Sequence, residues 1–264
     1  MKKYFVIGKP IDHSLSPKIH NYWIKQNKIE AIYYKKELDE TDLREFIAMI
    51  RDKKIDGANV TIPFKKKVIP FLDVLSKEAD QTQSVNTIYF DKGNLIGHNT
   101  DIIGFEQAIK ATNFEIINKK IFILGAGGVV PSIIFALKKM NVSEIFVSNR
   151  TRKKAEDLKN YFNKINIVNW GDVPEFDVII NATSIGLKGE DKLHLDYSNL
   201  GKNKLFYDVI YNPSFTNFLK QGSNLGNKSE NGKLMFIYQA SAAFELWHGI
   251  KPKLNDEVFS LLSL

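Results

Sequence analysis

The sequence predicts an α/β fold in two domains, and three observations predict it. Short apolar runs of strand length alternate with stretches of helical period along the chain. The run Ile121-Phe122-Ile123-Leu124 leads directly into Gly125-Ala126-Gly127-Gly128 and then into a helix-period stretch, the strand, turn and helix of a parallel sheet. At 264 residues, 44% hydrophobic and 25% charged, the chain is long enough for one large core or two smaller ones.

Composition narrows the chemistry. Without cysteine there is no disulfide, thiolate nucleophile or zinc–thiolate site, which fits a reducing compartment. His13 and His20 lack a third ligand at metal spacing, so no metal is expected. Lys2 and Lys3 precede only Tyr4-Phe5-Val6-Ile7, too short for a signal-peptide core, and no run approaches a membrane span. The cytoplasm is the expected location. The net charge of +7 is spread over scattered lysines rather than gathered into a stripe with aromatics. Neither nucleic acid nor a membrane is therefore expected as a partner; an anionic small molecule is, and a homodimer is compatible with the sequence.

Taken in order, Lys3 to Ile7 reads as a strand ending at Gly8. Ser16 before Pro17 reads as a helix N-cap, with Ile19, Tyr22 and Trp23 on the buried face. That leaves Ser14 unexplained, and two hydroxyls at a helix entrance suit a carboxylate. Ala31 to Tyr34 is a second strand; the next helix buries Leu43, Phe46, Ile47 and Ile50. In the strand running to Pro63, alternation places Ala58, Val60 and Ile62 on one face and Asn59 and Thr61 on the other. Polar side chains in a row leading to Lys65 suggest a site, whereas Lys66 and Lys67 read as a solvated face. Ser84–Phe90 and Leu95–Thr100 flank Asp91-Lys92-Gly93-Asn94, a hairpin by its turn residues. Asp101 opens a helix that Thr100 can cap, where the dipole alone would favour an acid.

These stretches resemble the shikimate dehydrogenase family: Gly8-x-Pro10…His13-Ser14-x-Ser16-Pro17…His20-Asn21, Asn59-Val60-Thr61-x-Pro63-x-Lys65, Val85-Asn86-Thr87, and Gly97-x-Asn99-Thr100-Asp101-x-x-Gly104, in family order and spacing. The resemblance implies that Ser14 and Ser16 hold a substrate carboxylate, that Asn59, Thr61, Asn86 and Asp101 hold ring hydroxyls, and that Lys65 and Asp101 are the catalytic pair. One departure stands out: Gln83-Ser84 occupies the place of the family's Gly-Ala before Val-Asn-Thr.

In the second half, free N–H groups and a helix dipole converge at the glycine turn, a ready anion site. Gly125 and Gly127 allow a tight turn and a close pyrophosphate approach, although Val130 replaces the third glycine of the dinucleotide fingerprint; a plain strand–helix turn is the alternative. The strand Glu144–Ser148 ends in Asn149-Arg150-Thr151 rather than in an acid. An acid would repel a 2′-phosphate, whereas Arg150 can pair with it through a planar fork, so NADP is favoured over NAD. Asn181-Ala182-Thr183-Ser184-x-Gly186, Asp208-Val209-x-Tyr211-x-Pro213, Asn231-Gly232-x-x-Met235 and Gln239 extend the resemblance over nearly the whole chain. Lys233 and Leu234 are not the usual residues of their segment.

The resemblance thus implies a cofactor site of Gly125, Ala126, Gly127, Gly128, Val129, Asn149, Arg150, Thr151, Thr183, Val209, Gly232 and Met235. It brings Tyr211 and Gln239 to the substrate. Residues 1–99 with 239–264 are expected to form a substrate-binding α/β domain and residues 100–238 a Rossmann-type NADP-binding domain, with a cleft between them. The implied reaction is reversible reduction of 3-dehydroshikimate to shikimate by NADPH. A quinate/shikimate dehydrogenase of dual specificity is the nearest alternative, and a non-catalytic sensor on the same fold the more distant one.

Overall fold

The computed structural model describes residues 1–188, 191–198 and 200–262. The last two residues of the expected first domain, Ser263 and Leu264, lie outside the described residues. The chain divides into two compact units: Met1–Gly104 together with the chain from Ile237 on, and Phe105–Phe236. These changeovers fall a few residues from the expected ones, so that Asp101 belongs with the first unit.

In the first unit, β1 (Lys2–Gly8), β2 (Ala31–Glu37), β3 (Gly57–Val60), β4 (Val74–Leu75), β5 (Thr87–Asp91) and β6 (Asn94–His98) form a mixed sheet in the order β2-β1-β3-β5-β6-β4. The helices are α1 (Ser16–Gln26), α2 (Leu43–Arg51), α3 (Lys77–Thr82) and the start of α4 (Asp101–Ala111), then the greater part of α8 (Lys233–His248) and α9 (Asp256–Leu261). Period-two alternation explains how β1 serves two cores. Ile7 joins Leu43, Phe46, Ile47 and Ile50 of α2, while Tyr4 packs on Trp247 of α8 with ring centroids 4.8 Å apart. His20, Trp23, Tyr33 and Phe244 complete that second, aromatic layer. The expected hairpin joins β5 to β6 through Lys92 and Gly93, both at positive φ, the conformation of a tight turn that matches strand twist.

Two expectations need correction. Ser16 is the first residue of α1 rather than its cap: Leu15 holds the cap position without a side-chain bond, and Ser14 Oγ accepts from Ser16 N at 3.3 Å. The serine left unexplained is thus the one that meets a free N–H of the first turn. Ile62 does not share the buried face of Ala58 and Val60 but is 61% exposed. The strand ends at Val60 and the chain turns, with Phe64 N bonded to Thr61 O, so alternation stops before Ile62.

In the second unit, β7 (Lys120–Leu124), β8 (Glu144–Ser148), β9 (Asn166–Val168), β10 (Val178–Asn181), β11 (Leu205–Asp208) and β12 (Lys228–Glu230) pair in parallel in the order β9-β8-β7-β10-β11-β12. That is the doubly wound order, whose direction reverses between β7 and β10. α5 (Val130–Lys139), α6 (Arg152–Asp157) and α7 (Asn217–Asn224) accompany it. β7 is the apolar run singled out in the sequence, with Ile121, Phe122, Ile123 and Leu124 fully buried, and Pro131 sits in the first turn of α5. Among the described residues no helix is long and apolar enough to cross a membrane.

Candidate active site

Lys65 and Asp101 meet. Lys65 Nζ donates to Asp101 Oδ2 at 2.5 Å, with the two side chains only 12% and 8% exposed. Lys65 follows the turn after β3, and its carbonyl accepts from Val85 N at 2.9 Å, which ties it to the segment that carries Asn86 into β5. Asp101 opens α4; its N–H donates to Asn99 Oδ1 and its Oδ1 accepts from Asn86 Nδ2 at 2.9 Å. Both carboxylate oxygens therefore have donors, which is what a buried charge requires.

Around the pair the amides are committed. Asn86 Nδ2 donates to Thr100 Oγ1 and to Asp101 Oδ1, and its Oδ1 accepts from Thr100 N at 2.7 Å. Asn59 Nδ2 donates to Asn86 O and Thr87 Oγ1, and its Oδ1 accepts from Tyr33 Oη at 2.7 Å. Both N–H groups of each amide are thus used within the protein, and what remains on Asn59 is acceptor capacity at Oδ1. Tyr33 also bonds the Ser16 side chain, and burial holds its phenol well above its ordinary range. It thereby links two residues expected at opposite ends of a substrate. His20 stacks on it at 4.3 Å, and burial pushes that imidazole down to about 3, so it is neutral. Thr61 is half-buried beside Gly8, where a Cβ would lie 2.4 Å from Thr61 Cγ2. Gln239 is half-buried on α8.

The second unit gathers the other group. Gly125 has φ +111, and a Cβ there would lie 2.7 Å from Ala182 O, so the turn requires glycine. A Cβ on Gly127 would meet nothing within 4 Å, so the backbone of 127 faces open space, as a cradle for an anion must. Gly128 is exposed and Val129 half-buried at the entrance to α5. Asn149 clasps the turn: its Oδ1 accepts from Ala126 N at 3.1 Å and its Nδ2 donates to Thr151 O at 2.8 Å. No acid stands at this strand end, and Arg150 is exposed without an ion pair among the described residues. Arg152 and Lys153, by contrast, are paired with Glu156 and Asp157. These observations fit a phosphorylated dinucleotide. Beyond β11, Gly232 lies against Val209; a Cβ on it would fall 2.1 Å from Val209 O. Tyr211 packs on Phe236 at 4.8 Å, Met235 is buried, and Thr183 Oγ1 donates to Asn181 Oδ1 at 2.7 Å.

The first unit therefore brings together Ser14 and Ser16, and Asn59, Asn86, Lys65 and Asp101. The second brings together Gly125, Ala126, Asn149 and Thr151, and Val209 with Gly232. Sequence reasoning missed Tyr33, which sits inside an apolar-looking strand and carries no local signal. Lys154 of α6 is exposed with no ion pair among the described residues, a second free cation beyond Arg150. Helical spacing accounts for Lys154: residues four on from 152 and 153 are acids, but four on from 154 is Leu158.

Known proteins decide the family. The model described as shikimate dehydrogenase substrate binding domain matches residues 6–88, and that described as shikimate / quinate 5-dehydrogenase matches residues 106–188. A curated shikimate dehydrogenase (NADP(+)) of Pelagibacter ubique is 55% identical over 265 residues, covering 100% of both chains. The chain belongs to the shikimate dehydrogenase family. A Caldicellulosiruptor bescii enzyme of the same name is 41% identical, over 95% of this chain and 90% of its own. Among solved structures, the shikimate dehydrogenase of Aquifex aeolicus aligns with a TM-score of 0.90 at 35% identity, covering 99% of this chain and 96% of that one. The Thermus thermophilus enzyme in complex with NADP(H) and shikimate aligns at 0.89 and 30%, covering 99% and 97%. The departure at Gln83-Ser84 now has a physical content. Gln83 ends α3 in the left-handed region at φ 48, where glycine carries no steric cost, and its Nε2 donates to Asp80 O at 2.7 Å. The loop keeps the conformation that a family glycine would favour.

Proposed function

We propose that this family member catalyses the reversible NADPH-dependent reduction of 3-dehydroshikimate to shikimate, with Lys65 and Asp101 as its catalytic residues. The observation that carries the assignment of roles is the buried ion pair of Lys65 and Asp101, beside a row of polar groups that an ordinary core would not collect. In the reducing direction the ketone oxygen must gain a proton. The Lys65 ammonium has three N–H groups and commits one to Asp101, so donors remain for that oxygen, and the amine takes the proton back in the oxidising direction. Asp101 keeps the ammonium oriented, and Asn86 keeps Asp101 oriented. NADPH, when bound, supplies the hydride.

The substrate carboxylate is assigned to Ser14 and Ser16 at the start of α1. Ser14 Oγ accepts from Ser16 N, which leaves its O–H to donate to an anion. Asn59 offers a ring hydroxyl its Oδ1 as acceptor; Thr61, Asn86, Asp101, Tyr211 and Gln239 complete the proposed substrate set. Gly125, Ala126, Gly127, Gly128 and Val129 would hold the pyrophosphate at the start of α5. Asn149, Arg150 and Thr151 would hold the 2′-phosphate side, and Thr183, Val209, Gly232 and Met235 the nicotinamide side. The dual-specificity alternative is not favoured, since the curated relatives named above are NADP(+) shikimate dehydrogenases. The proposal includes a cytoplasmic enzyme and a homodimer, the latter to be checked by light scattering. The deciding assay follows NADPH absorbance with 3-dehydroshikimate; no turnover by the purified protein would end the proposal.

A further inference from the structure

Asp208, at the end of β11, is fully buried, and the chemistry above gives it no role. Its oxygens gather three segments of the second unit. Oδ1 accepts from Ile210 N at 3.0 Å, in the turn that carries Val209. Asn181 Nδ2 donates to Oδ1 at 3.1 Å and to Oδ2 at 3.2 Å, while the same residue's Oδ1 accepts from Thr183 N and Thr183 Oγ1. Thr216 Oγ1 donates to Oδ2 at 2.7 Å and accepts in turn from Leu219 N, capping α7. The two strand ends are neighbours, with Asn181 opposite Asp208 in register.

The direction of every proton in this cluster is determined. A backbone N–H can only donate, so Ile210 requires an acceptor at position 208. Asn181 Nδ2 also donates to Ile185 O, which fixes the amide orientation and turns Asn181 Oδ1 towards Thr183. A residue at 208 that only accepts is therefore what aligns Asn181, and through it the Thr183 loop, together with the Val209 turn. A buried carboxylate is costly to keep, and burial raises this one to about 6 against the help of its donors. Packing alone would be served by an apolar side chain at the end of a buried strand.

We infer that Asp208 is a positioning residue for the cofactor: it holds the Thr183 loop and the Val209 turn in the arrangement that receives the nicotinamide half of NADP(H). This rests on the proposed function, which places Thr183 and Val209 at the cofactor.

Asp208→Asn and the pair Thr216→Val and Thr216→Ser test it, with NADPH and shikimate titrated separately by calorimetry and with melting temperatures recorded. Thr216 Cγ2 lies beside Gly186, where a Cβ would approach it to 3.3 Å, so Val keeps the methyl packing and Ser keeps the hydroxyl. The expected result is that Asp208→Asn and Thr216→Val weaken NADPH about tenfold or more with shikimate affinity within twofold, while Thr216→Ser binds NADPH like wild type. If Thr216→Val binds NADPH normally and Thr216→Ser does not, packing rather than the carboxylate orders the loops, and the inference is overturned. If Asp208→Asn does not fold, the threonine pair decides alone. Wild-type turnover separates the two failures: no turnover ends the functional proposal, whereas turnover with unchanged NADPH affinity in Asp208→Asn ends only this inference.

Discussion

Replacing Lys65 with Met keeps the length of the side chain and removes its charge. In the folded protein Asp101 is then left with 8% exposure and the Asn86 amide as its remaining side-chain donor. Breaking a buried pair from one side costs about 3–5 kcal/mol, because the surviving charge stays desolvated. With one donor retained, the lower end of that range applies, about 3 kcal/mol, or a fall in melting temperature of about 10 °C. Asp101→Asn added to Lys65→Met removes the stranded charge and still accepts from Asn86. The double variant should therefore recover most of the loss, with a coupling energy of about 2 kcal/mol or more. Urea unfolding of the wild type, the two single variants and the double variant measures the cycle. Turnover, measured well below the lowest melting point, should meanwhile fall by about 10²–10⁴ in kcat for both Lys65→Met and the double variant. A double variant as unstable as the sum of the singles would refute the reasoning that the two groups form one buried electrostatic unit. Unchanged kcat in Lys65→Met would remove the lysine from proton transfer.

Arg150→Ala should weaken NADPH much more than NADH, since only the 2′-phosphate loses a charge-assisted contact; equal losses in cofactor titrations would make Arg150 structural. Tyr33→Phe removes the donor to Asn59 Oδ1 and the acceptor for Ser16. It should raise the KM for shikimate several-fold with the KM for NADPH unchanged, read from initial rates. Gly232→Ala forces a Cβ into a position 2.1 Å from the Val209 carbonyl, so it should cost about 2 kcal/mol or more and weaken NADPH, measured by unfolding and titration. The Asp208 carboxyl is raised from 3.8 to about 6 by burial. Its contribution to stability is accordingly full below pH 4 and lost as pH rises through 6, by about 3 kcal/mol. The stability of Asp208→Asn relative to wild type should therefore improve between pH 4 and pH 7, and a difference that stays flat would mean the carboxyl titrates normally.

Most of the strands were legible because they carry an unbroken or alternating apolar run, and β7 with its glycine turn pointed to the second unit's parallel sheet; β4, β9 and β12, two or three residues long, are too short to carry such a run and were not read. Ser16 was misplaced by one position because a Ser-Pro pair fits both the cap and the first turn, and only the bond from Ser16 N to Ser14 distinguishes them. Ile62 was misplaced because alternation has no signal for the residue at which a strand stops. Lys65 was singled out by the row of polar side chains leading into it, whereas Asp101 was legible only by resemblance, since an acid in a first helical turn has an ordinary explanation of its own. Tyr33 and Asp208 were not legible as participants. Their partners lie 26 and 27 residues away, at Asn59 and Asn181, and periodicity carries no information on side-chain bonds between strands.

The first unit is discontinuous in sequence, and its aromatic layer needs Phe244 and Trp247 from the far end of the chain. On the ribosome, Tyr4, Trp23 and Tyr33 must wait while the whole intervening unit is made, on the order of ten seconds at ordinary elongation rates. The middle of the chain can close its parallel sheet first, and the amino-terminal segment is the late partner in folding. Chains halted before Trp247 should accordingly carry a finished nucleotide half and an open, chaperone-dependent amino-terminal half.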